Sequence, residues 1–304
     1  MSQPQTENKN VTIITHSSGF HTDDIFGVAT LLLVLKDQDV SITRSRNKEI
    51  IEKGDYVLDV GSVYDPEKNR FDHHQEGGAG VRENGIPYAS FGLIWKKFGE
   101  SLCGSKEVSS RIDQMIVQPI DSNDNGIEFV ETILADLHPF DIGFITHIFQ
   151  PTWKENDQNI DGIFIKLTSY AKVLLERIIK STSDAFEAEN LVMDVYNNSL
   201  DKRLIILDNV KYPWGSVLSK LPEPIYVIYK NITDDTWSVK GVRSNLFSYE
   251  SRKNLPESWA GKSNGELDKI TGVEGCVFCH RARFMAVNRT KEGILKMAEI
   301  ALAA

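Results

Sequence analysis

Histidine and aspartate residues are concentrated in three short segments near the start of the chain. Four of the seven histidines lie within residues 16–74. Carboxylates suit Mn²⁺ and Mg²⁺, and imidazole suits transition-metal ions. Such ions activate water and support the hydrolysis of phosphate esters. We therefore predict a metal-dependent phosphohydrolase whose site is built from His16, His21, Asp23, Asp59, Asp72, His73 and His74.

The spacing of these residues favours two ions over one. His21 and Asp23 are one residue apart, so that both can bend toward one ion from an extended loop. Asp59 ends an apolar run, where its two carboxylate oxygens can bridge two ions. Two ions about 3.5 to 4 Å apart would lower the pKa of a bridging water and neutralise charge on a phosphoryl oxygen. The predicted cofactor is therefore a pair of Mn²⁺ or Mg²⁺ ions.

Each of these residues also has an ordinary structural interpretation. A single Asp at the end of a strand is more often a helix cap or a turn former than a ligand. Helix capping does not explain why three successive strand ends each carry candidate ligands, which favours the metal site.

The apolar patterning predicts strands and helices in alternation, which is typical of a parallel sheet in an α/β fold. The run VTIIT at residues 11–15 reads as a strand, and Asp23 to Lys36 reads as a buried helix. Similar patterns predict further strands at VSITRS and YVLDV, a polar loop from Gly61 to Gly85, and helices near Asn47–Lys53, Pro87–Phe98, Lys106–Val117, Ile163–Ser181 and Ala185–Ser199.

From Arg203 onward, β-rich segments predict a second, smaller α/β unit. These segments are RLIILD, IYVIYK, WSVKGVR, CVFCH and FMAVN, followed by a helix from Thr290. We expect a disordered tail at residues 1–10, a catalytic domain at 11–160, a helical connection at 161–200 and a C-terminal domain at 201–304.

Composition restricts the class of protein. The chain has 304 residues, is 41% hydrophobic and carries a net charge of −9, which argues against a general nucleic-acid-coating surface. We expect no membrane segment. Three cysteines are too few for a disulfide framework and fit a reducing compartment, with the cytosol as the default and the nucleus or mitochondrion as alternatives.

Several motifs together resemble a known family. FDHHQ, preceded by DVG and by a His/Asp loop, resembles the DHH phosphoesterase superfamily. HSSGFHTDD, DVGSVYDPEKNRFDHHQ, IDSNDNG, PTW, LPESW, GCVF and RTKEGILKMA together resemble the melanocyte-proliferating-gene family of that superfamily. The resemblance runs from about Val11 to the C-terminus. It implies a metal-dependent hydrolase that acts as a 3′-5′ exonuclease on RNA or short oligonucleotides.

The resemblance also assigns roles to individual residues. By position, it implies metal ligation by His16, His21, Asp23, Asp59, His73 and Asp121, and catalytic roles for Asp59, Asp72 and His73. His21 departs from the superfamily, which has Asp there. IDSNDNG offers Asp124 as an alternative to Asp121, and we favour Asp121 because it directly follows the apolar run MIVQPI.

The superfamily uses a second domain to hold the substrate phosphate, which implies basic residues of the C-terminal unit. Arg243, His280 and Arg281 are the candidates there, and His74 is the candidate in the first domain. CHRARFMAVN departs from the glycine-containing stretch that the family usually has. An ordinary surface role remains an alternative for each basic residue.

Two other functions remain open from the sequence. One is a pyrophosphatase-type hydrolase of small phosphates, and the other is a catalytically weak regulatory or RNA-binding protein that contains metal. CVFCH formally matches a c-type haem attachment motif, but a buried strand explains it better. The oligomeric state is not determined by the sequence.

Overall fold

A computed structural model describes residues 10–131, 140–155, 159–207, 212–245 and 248–304. The expected tail at residues 1–10 falls outside this description apart from Asn10. The chain divides into two compact units, Met1–Ser183 and Asp184–Ala304. Each unit contains a five-stranded sheet with helices, which confirms the predicted α/β class.

The sheet of the first unit is parallel except at one edge. Its order is β2-β1-β3-β5-β4, and its strands are β1 (Val11–Thr15), β2 (Val40–Arg44), β3 (Tyr56–Leu58), β4 (Tyr64–Asp65) and β5 (Arg70–Phe71). Strand β1 pairs in parallel with β2 and β3, and β3 pairs in parallel with β5. Strand β4 is antiparallel because a short 3-10 turn and Asn69, at φ 54°, reverse the chain into β5. Both short strands lie in the segment predicted as a polar loop.

Seven helices accompany these strands in the described part of residues 10–198. They are α1 (Thr22–Val34), α2 (Lys48–Lys53), α3 (Ser90–Cys103), α4 (Lys106–Ile112), α5 (Gln118–Asp124), α6 (Ile142–Ile148) and α7 (Ile160–Asn198). Helix α1 is buried from Thr22 to Leu31, as its apolar sequence predicts. A Cβ at Gly27 would lie 2.6 Å from Leu58 Cδ1, so α1 packs directly against the end of β3. That contact fixes the start of α1 beside the strand ends.

Helix α7 is a single helix where the sequence predicts two. The expected break between Ser181 and Ala185 is wrong, because the structure is helical from Ile160 to Asn198. Ser, Thr and Asp are weak helix formers, but each disfavours a helix interior by less than about 0.7 kcal/mol relative to Ala. Such small preferences are readily outweighed within a long helix.

The second unit has a mixed sheet of order β6-β7-β8-β10-β9. Its elements are β6 (Leu204–Leu207), α8 (Gly215–Leu218), β7 (Tyr226–Lys230), β8 (Trp237–Gly241), α9 (Asn264–Thr271), β9 (Cys276–Cys279), β10 (Met285–Asn288) and α10 (Lys291–Ala303). Among the described strands of this sheet, β6 and β7 pair in parallel and the other neighbouring strands pair antiparallel. Cys276 and Cys279 are buried in β9 as free thiols. Within the described residues, no helix is both long and apolar enough to span a membrane.

Candidate metal centre

Three adjacent parallel strands deliver their next residues to one edge of the first sheet. His16 follows β1, Asp59 follows β3, and Asp72 with His73 follows β5. The carboxyl ends of parallel strands are where open α/β folds place their sites. Burial of the apolar strands thus brings these polar side chains together.

Asp59 lies at the centre of the group. Its Oδ2 is 3.2 Å from His16 Nε2, and its Oδ1 is 3.3 Å from His73 Nε2. The residue has φ 55°, a left-handed conformation that Asp tolerates better than most side chains. This backbone turn at the end of β3 leaves the two carboxylate oxygens facing different histidines, as expected of a bridging carboxylate.

Two more carboxylates complete the contacts of the histidines. His16 Nε2 lies 3.0 Å from Asp24 Oδ2, and His73 Nε2 lies 3.1 Å from Asp124 Oδ2. Asp24 also accepts a hydrogen bond from the backbone N–H of His21 at the start of α1. Asp24 therefore joins the helix start to the site, a contact that the sequence-based assignment did not include.

Among the described residues, three groups of side chains have ligand atoms close enough to hold a metal ion. In each group, the atoms lie within 4.8 Å of one another. The groups are His16, His21 and Asp59; Asp59, His73 and His74; and His21, Asp23 and Asp124. Asp59 belongs to two groups, and its two carboxylate oxygens would let neighbouring ions share it. His21 also belongs to two groups, but a neutral imidazole can bind one ion at a time.

The environment of Asp23 indicates that this cluster suits a cation. Its side chain is fully buried, and neither carboxylate oxygen has a hydrogen-bond partner among the described residues. A buried polar group without a partner is unfavourable, because it loses its hydration without compensation. A divalent ion would supply that compensation, and the imidazole and carboxylate donors around it are ordinary ligands of divalent metal ions.

Burial and mutual contacts shift the protonation of the cluster. Burial alone would lower the pKa of His16 and of His73, but the carboxylates facing them outweigh it and raise each pKa from 6.5 to about 10. The same contacts hold the pKa of Asp59 below its ordinary value despite burial. Burial, together with repulsion from Asp59 and Asp124, raises the pKa of Asp23. Without an ion, protons on the two histidines balance part of the negative charge.

Asp72 and His74 lie beside the cluster and contact each other. Asp72 is buried, and its Oδ2 accepts a hydrogen bond of 2.6 Å from the backbone N–H of Ser62. Its Oδ1 lies 2.8 Å from His74 Nδ1. Asp72 belongs to none of the three groups found among the described residues, whereas His74, with 58% of its side chain exposed, belongs to one. The geometry makes Asp72 a residue that orients the loop after β5.

Asp121 and Asp124 lie one turn apart on α5 and face different partners. Asp121 Oδ2 is 2.7 Å from Arg82, and its Oδ1 accepts a hydrogen bond from the backbone N–H of Gly92. Burial raises the pKa of Asp121 to about 7, against the opposing effect of Arg82. Asp124 contacts His73 instead. Within the IDSNDNG segment, the geometry therefore favours Asp124 over Asp121 as a ligand, the reverse of the preference drawn from the sequence.

The predicted substrate residues of the second unit lie at one end of its sheet. Arg243 follows β8, its guanidinium lies 4.9 Å from the ring centre of Tyr249, and His280 follows β9. His280 Nδ1 accepts a hydrogen bond from the backbone N–H of Ala282, and Arg281 is exposed. The antiparallel pairing of β10 with β8 and β9 brings these residues to the same end of the sheet.

A cleft of about 730 Å³ opens beside Asp23 and Asp124. Phe144 and His147 of α6 also line it, together with Asn123 near the end of α5. Sequence reasoning did not identify these residues. The signal available was weak, because a histidine within the segment FITHIFQ is equally compatible with an ordinary amphipathic helix.

The sequence is similar to those of one protein family over nearly its whole length. The MYG1 exonuclease family model, described as an uncharacterised protein family (UPF0160), matches residues 12–302. The chain is 31% identical to "MYG1 protein" of Dictyostelium discoideum, covering 95% of both chains. It is 29% identical to "MYG1 exonuclease" of Homo sapiens, covering 95% of this chain and 85% of the relative. It is 28% identical to a "MYG1 protein" of Schizosaccharomyces pombe, covering 97% and 98%.

Proposed function

The chain belongs to the MYG1 exonuclease family, and on that premise we propose that it is a metal-dependent phosphohydrolase. Its proposed reaction is 3′-5′ exonucleolytic cleavage of RNA or short oligonucleotides. Relatives named as exonucleases support the nuclease class. The observation that carries the metal dependence is the convergence of buried imidazole and carboxylate groups at three successive strand ends.

The proposed ligands fall on the two sides of Asp59. His16, His21 and Asp59 surround one position, and His73 and His74 approach Asp59 from the other side. Asp23 and Asp124 add carboxylates near His21. Two Mn²⁺ or Mg²⁺ ions held there would activate water and neutralise charge on the phosphoryl oxygens.

The protein's own residues position this chemistry. Asp72 holds His74 through a 2.8 Å contact, so that the exposed imidazole is directed by a buried carboxylate. An oriented imidazole can contact a substrate phosphate, which is the role we propose for His74. For Arg243, His280 and Arg281 we keep the predicted role in binding substrate phosphate, since guanidinium groups and the Nε2–H of a neutral imidazole donate to phosphate oxygens.

Two single substitutions test the proposal. We expect Asp59→Ala and His73→Ala each to abolish Mn²⁺-dependent hydrolysis of labelled RNA, since both remove groups from the proposed ligand sets. Asp37→Ala, which removes a carboxylate at an exposed position, is the matched control and should retain activity. Circular dichroism checks that each variant is folded.

The substrate screen separates the proposed reaction from the alternatives. It should include labelled RNA, DNA, dinucleotides and pyrophosphate, with the products identified. Release of mononucleotides from the 3′ end of RNA supports the proposal. Faster release of phosphate from pyrophosphate would favour the small-phosphate hydrolase, and tight RNA binding without metal-dependent turnover would favour the regulatory protein.

A further inference from the structure

The cleft beside the candidate metal centre is lined by two chemically different sets of side chains. One set is the carboxylates of Asp23 and Asp124, which belong to one of the three candidate metal-binding groups. The other set is Phe144 and His147, which lie three residues apart and therefore form an aromatic wall on one face of α6. A volume of about 730 Å³ lies within the range of about 300 to 1,000 Å³ that is common for small-molecule sites.

The aromatic wall presents stacking surfaces and is supported from within its own segment. Phe144 is 49% exposed, although it lines the cleft. The ring of Phe140 packs against it, with the ring centres 5.4 Å apart. Phenyl and imidazole rings are the surfaces on which proteins stack the unpaired bases of single-stranded nucleic acids. A phosphate-only substrate gains nothing from such a wall.

Two amide side chains also line the cleft. Asn123 and Gln150 both line it, and amides can donate to and accept from the edge of a base. Helix α6 approaches Asn123 closely, since a Cβ at Gly143 would lie 2.7 Å from Asn123 Nδ2. The absence of a side chain at Gly143 thus lets the aromatic wall stand next to the end of α5.

We infer that this cleft binds the nucleobase of the terminal nucleotide, stacked against Phe144 and His147, while its phosphate lies at the metal centre. The inference rests on the proposed function and names the part of the substrate that the first unit recognises. It predicts that the protein distinguishes a nucleotide from a sugar phosphate. The distinction should depend on the ring of Phe144.

The test measures the binding of two probes to the full chain in the presence of Mn²⁺. Adenosine monophosphate and ribose 5-phosphate share the phosphate and ribose but differ in the base. Since stacking of one base on an aromatic side chain is worth about 1 to 3 kcal/mol, we expect the nucleotide to bind roughly 5- to 150-fold more tightly in calorimetry. Phe144→Ala and His147→Ala should each reduce this ratio. Phe149→Ala should preserve it, because Phe149 is equally exposed but does not line the cleft.

Equal affinity of the unaltered protein for the two probes would overturn the inference. It would also be overturned if Phe144→Ala and His147→Ala left the ratio unchanged, or if Phe149→Ala reduced it as strongly. The proposed function fails separately, through lack of hydrolysis of every nucleic acid in the substrate screen. A base-dependent affinity without turnover would therefore refute the nuclease and leave the nucleobase site standing.

Discussion

Replacing Asp23 by Asn should stabilise the metal-free protein while weakening its response to metal. Asp23 is fully buried beside Asp59 and Asp124, and neither of its oxygens has a hydrogen-bond partner among the described residues. Asparagine has nearly the same shape but no charge, and its amide can donate to a neighbouring carboxylate. The substitution therefore removes an unfavourable group without opening a cavity.

The size of the effect follows from the burial of an unsatisfied group. Such a group disfavours folding by about 1 to 3 kcal/mol. For a domain of about 150 to 250 residues, each kcal/mol shifts Tm by about 2 to 4 °C. We expect Asp23→Asn to raise Tm of the metal-free protein by several degrees at pH 8. Mn²⁺ at 100 times its Kd should stabilise the unaltered protein by about 2.7 kcal/mol, and the variant by less.

The stability difference between Asp23→Asn and the unaltered protein should change with pH in one direction. The folded-state pKa of Asp23 is raised above its unfolded-state pKa of 3.8. Ionisation of Asp23 therefore does not destabilise the folded protein below pH 3.8, and the destabilisation grows as pH rises toward the folded-state pKa. The advantage of Asp23→Asn should therefore shrink toward acid pH. Thermal unfolding in EDTA and in Mn²⁺ measures both effects, and Asp37→Asn is the control with the same change of charge. A variant that is less stable than the unaltered protein at pH 8 in EDTA would refute the reasoning.

Three further predictions concern the surroundings of the metal centre. Gly92→Ala should lower the free energy of unfolding by about 3 kcal/mol, because the new Cβ would lie 1.8 Å from Asp121 Oδ2. Arg82→Met should lower it by about 3 to 5 kcal/mol, because it leaves Asp121 buried without its ion pair. Affinity for Mn²⁺ should rise as pH rises from 6.5 toward 10, because an ion must displace protons from His16 and His73, whose pKa values are about 10. The number of protons released on binding should fall only as pH approaches 10.

Controls for these predictions come from the same chain. Gly265→Ala is the matched control for Gly92→Ala, since it also lies in a helix and its Cβ would meet nothing within 4 Å. Denaturant unfolding measures both variants, and an equal effect in the two would contradict the steric explanation. For Arg82→Met, unchanged stability would show that the ion pair with Asp121 is not needed. Affinity for Mn²⁺ that is independent of pH would contradict proton displacement.

The part of the candidate site at the strand ends could be predicted from the sequence, because parallel strands end at the same edge of a sheet. Strand pairing in parallel puts the residues after β1, β3 and β5 at one edge, so His16, Asp59 and His73 are brought together by backbone topology alone. The choice between Asp121 and Asp124 depends on side chains that are distant in sequence. Arg82 contacts Asp121 across 39 residues, and the local sequence does not reveal this contact.

The other differences between the sequence-based predictions and the structure have the same physical origin. The hairpin of β4 and β5 lies in a segment that the sequence predicts to be a polar loop. The pattern does not reveal it, because two-residue strands carry too little apolar periodicity. The cleft is lined by residues of α1, α5 and α6, and the packing of these helices brings Asp23, Asn123 and Phe144 to one cavity. Local periodicity in the sequence thus predicts individual helices and strands, whereas a cavity between them can be predicted only when their packing is known.

Anomalous diffraction from crystals grown with Mn²⁺ tests the central claim most directly. We expect two peaks, one in contact with each oxygen of Asp59, with His16 among the ligands of one ion and His73 among those of the other. Peaks confined to other parts of the chain, or a cluster whose histidines remain paired with carboxylates at saturating Mn²⁺, would contradict the assignment of a metal centre.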